Sequence, residues 1–257
     1  MNVAADRDNW FRRYVPAAPG AVQLICLPHA GGGAPQFLPL AQELAPAVEV
    51  VCVQYPGRQD RRRETPVDNL RTLADRLCEL LAPRPSQQLV ILGHSMGAVL
   101  GFELGLRIER SAPDALLGLI ASGRRAPVVH RDEDVHRRGD DEIIAEIRAL
   151  SGTAPSLLAD EELLRMALPA LRADYRAVES YRYREGDRLR APVAALVGDI
   201  DPRVSLDDAR AWQQVTDADF SMRTFPGGHF YLVEQWADVA STIADRIAVF
   251  QGRARVS

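Results

Sequence analysis

An apolar run, Leu89 to Leu92, leads directly into Gly93-His94-Ser95-Met96-Gly97, and a helical pattern follows from about Ala98 to Arg110. A strand that turns into a helix through a serine between two glycines puts that serine on a tight, strained turn, with its hydroxyl exposed above a sheet. The glycines leave room for the turn and for close approach of helix and strand. The pentapeptide alone is only moderately specific. The strand before it and the helix after it turn a common pattern into a strong constraint.

The rest of the chain fits that junction. Short apolar runs predict strands at Val22 to Leu27, Val48 to Val53, Leu116 to Ala121, Pro192 to Val197 and Phe220 to Phe225. Between them lie helical patterns. Leu70, Leu73, Leu77 and Leu80 or Leu81 share one face of a helix over about 67 to 81. Leu232, Trp236, Val239, Ile243, Ile247 and Phe250 form the buried stripe of a last helix, from about Phe230 to Phe250. Such alternation predicts an α/β fold: a mostly parallel central sheet flanked by helices on both faces. One segment breaks it. From about 124 to 188 no strand is evident; a charge-dense stretch, His130 to Glu142, gives way to helical patterns. That is too long for an ordinary connection. It reads as a helical lid inserted into a single domain spanning 1 to 257, near the sheet end that carries the serine.

Composition removes several function classes. A net charge of −4 gives no basic field for nucleic acid. No stretch is long and apolar enough to span a membrane, and the polar N-terminus has no signal-like core, so the expected setting is cytoplasmic. Cys26, Cys52 and Cys78 are odd in number and widely spaced, which favours free thiols. The chain has no lysine, which excludes Schiff-base chemistry and a lysine-bearing phosphate loop. No His or Cys pair has ligand spacing, so neither a metal nor a cofactor is expected.

A serine hydroxyl needs a base to take its proton. His229, in Phe225-Pro226-Gly227-Gly228-His229-Phe230, lies between the last strand and the last helix, at the carboxyl end of a strand. His94 reads as structural, and His130 and His136 as solvated. A third group must fix the imidazole tautomer. Gly198-Asp199-Ile200-Asp201-Pro202 offers two carboxylates, and spacing does not choose between Asp199 and Asp201. The oxyanion donors expected are the Met96 N–H, just after the nucleophile, and the Ala30 N–H in Pro28-His29-Ala30-Gly31-Gly32-Gly33. The chain order serine, aspartate, histidine is that of an α/β-hydrolase fold.

Six segments in the same order resemble the type II (editing) thioesterases of polyketide and nonribosomal peptide synthases. They are Trp10-Phe11-Arg12-Arg13, Leu27-Pro28-His29-Ala30-Gly31-Gly32, Gln54-Tyr55-Pro56-Gly57-Arg58, Gly93-His94-Ser95-Met96-Gly97-Ala98, Gly198-Asp199-Ile200-Asp201-Pro202 and Pro226-Gly227-Gly228-His229-Phe230. The resemblance covers nearly the whole chain and is weakest over the lid. It favours Asp201 over Asp199. It implies hydrolysis of acyl groups from the 4′-phosphopantetheine arm of acyl or peptidyl carrier proteins; the phosphopantetheine belongs to the substrate. Gly33-Ala34-Pro35 departs from a family pattern that places a serine after the first two glycines, and predicts a locally altered pocket with the Ala30 donor intact. Tyr175, Tyr181 and Tyr183 are candidates to line an acyl chamber, with ordinary packing the competing account. Arg58, Arg61, Arg62 and Arg63 form a basic run that would suit an acidic carrier protein, against the alternative of a solvated loop. Rival readings are a chain-releasing thioesterase, a small-acyl esterase and a catalytically silent binding protein. A chain that opens on its own Met with no carrier-domain remnant favours a free-standing enzyme over a chain-releasing domain.

Overall fold

Strand residues alternate between the two faces of a sheet, and here both faces are apolar. In the computed structural model, which describes residues 3–151 and 161–254, Ile25, Leu27, Val51 and Val53 belong to one core cluster and Leu24, Cys26, Val50 and Cys52 to the other. Such two-faced burial is what a parallel sheet between helical layers requires. The strands are β1 (Phe11–Arg12), β2 (Val22–Leu27), β3 (Val48–Val53), β4 (Leu89–His94), β5 (Leu116–Ser122), β6 (Val193–Gly198) and β7 (Phe220–Phe225). Their order is β1-β3-β2-β4-β5-β6-β7, and every pairing is parallel except β1 with β3.

Helices α3 (Leu70–Leu81) and α4 (Met96–Ser111) cover one face; α2 (Leu38–Leu44) and α9 (Trp236–Ala254) cover the other. The predicted leucine stripe of α3 is buried. Its first turn starts later than the apolar pattern suggests, because the Asn69 side chain accepts the Thr72 N–H at 3.0 Å and caps the helix there. The predicted last helix is broken. The chain runs α8 (Tyr231–Glu234), a non-helical Gln235, then α9; the Gln235 side-chain amide donates to the Pro226 carbonyl. Helix α1 (Val3–Trp10), β1 and α2 were not marked by any strong periodicity.

Between β5 and β6 the described residues contain α5 (Asp140–Ser151) and α6 (Glu161–Glu179). These two helices and Val135 share a separate small apolar cluster, made of Val135, Ile143, Ile144, Leu164 and Leu168. Part of the predicted lid, 152 to 160, lies outside the described residues. The remaining helix, α7 (Leu206–Arg210), follows β6 and carries a capping box between Ser205 and Asp208. Cys26, Cys52 and Cys78 are free. Among the described residues no helix is long and apolar enough to cross a membrane.

Strand order reverses between β2 and β4: β3 lies on one side of β2, and β4, β5 and β6 extend on the other. In such sheets the crevice outside the carboxyl ends at this switch point receives ligands. There α4 is drawn hard against β2. A Cβ on Gly97 would lie 2.1 Å from the Leu27 carbonyl oxygen, and one on Gly93 would lie 2.0 Å from the Gly97 carbonyl. Neither backbone can yield without moving the sheet. Gly97→Ala is therefore expected to destabilise the protein by ~3 kcal/mol or more, read from its denaturant midpoint; a midpoint equal to wild type would contradict this packing.

Candidate active site

Ser95 sits between β4 and α4 at φ 53 and ψ −117, a left-handed backbone that a residue with a Cβ rarely adopts. Its N–H donates to the Ser122 carbonyl at 2.8 Å, and its own carbonyl accepts the Ala98 N–H at 3.0 Å. The conformation is thus held from β5 and from inside α4. It places Ser95 on the wall of a cleft that is also lined by Ala30, Met96 and His229.

His229 occupies the loop between β7 and α8. Its Nδ1 donates to Asp201 Oδ2 at 2.9 Å, and both side chains are almost fully buried. A carboxylate accepts, so this bond puts a ring proton on Nδ1; in the neutral tautomer so selected, Nε2 carries the lone pair. The second oxygen of Asp201 accepts the Arg203 N–H at 2.8 Å. Asp199 is used differently: its Oδ1 accepts the Gly227 N–H at 2.8 Å, bracing the loop that carries His229. Of the two carboxylates that sequence spacing left open, the structure brings Asp201 to the imidazole.

Ala30 and Met96 both line the cleft beside Ser95. Among the described residues, neither backbone N–H is engaged by another group of the protein. Gly33 lies outside this lining, against Gln54 and Gln59. Ala34 donates its N–H to Gln54 Oε1 at 2.7 Å in the same place.

The other histidines have distinct settings. His94 is fully buried, with Nδ1 on Ser122 Oγ at 2.9 Å; Ser122 Oγ in turn meets the Tyr231 hydroxyl at 2.7 Å. Burial first, then the neighbouring His229 and His29, drive its pKa well below the usual value. His29 lies edge-on to Phe230 at 4.8 Å, and burial, with His229 and Arg58 nearby, lowers its pKa to about 3. Both rings are neutral at physiological pH. His130 is exposed beside Asp132, while His136 is not solvated as expected: it is held by Glu179.

The far wall of the cleft is charged, which the sequence did not reveal. Arg124, Glu133, Tyr175, Glu179 and Arg203 line it. Glu133 pairs with Arg125 and accepts from Arg203 Nη1 at 3.0 Å; Arg124 Nη2 lies 3.7 Å away. Burial, then repulsion from Arg125, lowers the Arg124 pKa to about 10. Burial pushes Glu133 up, but hydrogen bonding to Arg125 and the charges of Arg124, Arg125 and Arg203 outweigh it and hold the carboxyl below its ordinary value. The one hint available was position: Gly123-Arg124-Arg125 directly follows β5 at the sheet's carboxyl end. Of the three candidate tyrosines, Tyr175 lines the cleft. Tyr181 instead lies beneath Arg71, and Tyr183 packs near Phe102.

The basic run is half structural. Arg58 pairs with Asp174 at 2.8 Å, and Arg61 donates to the Gln54 carbonyl at 2.7 Å and stacks on Trp10. Both are buried; only Arg62 and Arg63 are exposed. A four-arginine docking patch is therefore not available. The segments around Trp10 and Gln54 instead meet each other, through these arginine contacts and the Gln54 N–H bond to the Trp10 carbonyl at 2.8 Å.

Comparison with known proteins agrees with this architecture. A family model described as the thioesterase domain matches residues 22–247. The thioesterase PikA5 of Streptomyces venezuelae is 44% identical over 96% of this chain and 88% of its own length. A probable cadicidin biosynthesis thioesterase of Streptomyces griseus is 48% identical over 93% of this chain, which spans 66% of that relative. Among solved structures, the type II thioesterase BorB of the borrelidin cluster superposes with a TM-score of 0.88 at 50% identity, covering 93% of this chain and 98% of that one. The type II thioesterase YbtT of the yersiniabactin pathway gives 0.83 at 31% identity, covering 94% and 99%. The chain belongs to the thioesterase family, as a thioester hydrolase on the α/β-hydrolase fold. Its kinship within that family is with the type II thioesterases of polyketide and nonribosomal peptide pathways.

The charged wall makes a prediction of its own. Because the folded-state pKa of Glu133 is depressed, its contribution to stability is present above the ordinary carboxylate pKa and lost as pH falls through the lowered one. Glu133→Gln should cost ~2–4 kcal/mol at pH 7, and the gap to wild type should narrow on acidification below about pH 4. Denaturation at several pH values checks this; a pH-independent gap would contradict it.

Proposed function

We propose that this enzyme hydrolyses acyl groups from the phosphopantetheine arm of acyl or peptidyl carrier proteins, clearing aberrant or stalled units from a polyketide or nonribosomal peptide synthase. Ser95 is the nucleophile, His229 the general base and Asp201 the group that orients it. The Ala30 and Met96 N–H groups receive the oxyanion. The observation that carries this reading is the Asp201–His229 hydrogen bond at 2.9 Å beside the strained Ser95 turn in one cleft.

The chemistry follows from that arrangement. Ser95 Oγ attacks the thioester carbonyl as His229 Nε2 takes its proton, and Asp201 stabilises the imidazolium. Carbonyl charge moves onto the oxygen, toward the two N–H donors. The C–S bond then breaks, and the pantetheine sulfur leaves as a thiolate that takes the proton held on His229, which restores the neutral base. Water, deprotonated by His229, attacks the acyl-serine; the acid departs and Ser95 regains its proton. Solved relatives named for mixed nonribosomal peptide and polyketide pathways, of yersiniabactin and colibactin, support the carrier-bound substrate.

The test compares hydrolysis of acetyl- and propionyl-carrier protein with that of an oxygen ester of equal acyl length. The carrier thioester should be strongly preferred, with Ser95→Ala inactive on it; equal or faster turnover of the oxygen ester would replace this reading with a general esterase. Asp201→Asn should lower kcat by ~10³–10⁴-fold, whereas Asp199→Asn should cost no more than about 10-fold; equal losses would contradict the assignment of Asp201.

A further inference from the structure

The loop that carries Ala30 is held from an unexpected side. Gly32 N–H donates to the His29 carbonyl at 2.9 Å, and Gly31, but not Ala30, has positive φ, at 78°. This is the pattern of a type II turn with Ala30 and Gly31 at its centre. Types I and II differ by a flip of the central peptide, here the Ala30–Gly31 unit. That unit is gripped by its N–H: Gly31 N donates to Asp174 Oδ2 at 2.7 Å. Asp174 belongs to α6, 143 residues away in sequence.

The other oxygen, Oδ1, accepts Arg58 Nη2 at 2.8 Å, and Arg58 Nη1 reaches the Gly32 carbonyl at 3.4 Å. Asp174 is 1% exposed and Arg58 7%. Leu171, one turn earlier on α6, closes on the same glycine: a Cβ on Gly31 would lie 2.3 Å from its Cδ2. The turn is thus clamped at Gly31 and Gly32, and the Ala30 N–H is left for the cleft. A buried ion pair is a poor source of net stability, since apolar replacements of similar volume do as well or better. A role in fixing geometry accounts for this one.

We infer that Asp174, supported by Arg58, is a positioning residue for the oxyanion hole, so that the inserted helix α6 sets the place of the Ala30 donor. The inference rests on the reading that the Ala30 N–H receives the oxyanion. It deepens that reading by making the wall of the acyl chamber and the oxyanion hole one mechanical unit. An α6 displaced from the sheet would release Gly31 and let its peptide turn over, so substrate must be accommodated without moving this helix turn.

The experiment compares wild type with Asp174→Leu and with the double variant Asp174→Leu, Arg58→Met, which removes the acceptor for the Gly31 N–H together with both buried charges and keeps the test decidable if the single variant does not fold. Two inhibitors separate geometry from general damage: a trifluoromethyl ketone, which forms an oxyanion on the serine, and a thioether analogue of the acyl-pantetheine, which does not. Kcat should fall about 10- to 100-fold with KM within about 3-fold. Affinity for the ketone should fall with kcat, while that for the thioether holds. A folded variant with kcat near wild type, or one that loses both inhibitors equally, overturns the inference. Labelling of wild-type Ser95 by a fluorophosphonate is run alongside. Failure to label removes the serine mechanism itself, whereas labelled wild type with unaffected variants removes only the role of Asp174.

Discussion

The site depends on a single backbone conformation, that of Ser95 at φ 53. A non-glycine residue held there costs on the order of 1–3 kcal/mol and persists only where its surroundings over-determine it. Here they do. The Ser95 N–H is bound from β5, its carbonyl from α4, and Gly97 is pressed against the end of β2. These three elements are neighbours because the strand order reverses at β2, so the topology of the sheet and the strain at Ser95 are one fact seen at two scales. The loops after β2, β6 and β7 then bring the Ala30 turn, Asp201 and His229 to the same crevice.

The electrostatics of the crevice divide into two zones. Near Ser95 the buried rings of His29 and His94 are neutral, because burial outweighs any gain from charging them. Asp201 is hydrogen-bonded to the His229 ring, so one of its carboxyl oxygens is committed to that histidine. The opposite wall holds arginines and glutamates in mutual contact, with Glu133 shared among Arg124, Arg125 and Arg203. Arg203 links the zones: its backbone N–H steadies Asp201 while its side chain joins the charged wall.

What was legible in the sequence was whatever one segment could encode alone. The six main strands announced themselves as apolar runs, and the leucines of α3 repeated every three or four residues. Ser95 and His229 stood out because each lies in a glycine-rich junction of known chemistry. The two-residue strand β1 and the short α2 left no pattern, since β3 and α9, distant in sequence, hold them; the break at Gln235 left none because it is set by a side-chain bond to the Pro226 loop and not by apolar spacing. The choice between Asp199 and Asp201 was closed to spacing for the same reason: they sit two residues apart, and only the approach of the Gly227–His229 loop separates a loop brace from an imidazole partner. Arg58 and Arg61 read as a surface run because their neighbours in sequence are charged, yet Asp174 and Trp10, far along the chain, draw them inside.

The account stands on Ser95 being acylated by carrier-bound acyl groups. The direct measurement is rapid-quench mass spectrometry of the enzyme mixed with propionyl-carrier protein, followed by peptide mapping. A transient propionyl increment on the peptide containing Ser95, appearing no more slowly than free acid is released, is the predicted result. Release of acid without any acylated Ser95 peptide, or acylation at another residue, would contradict it.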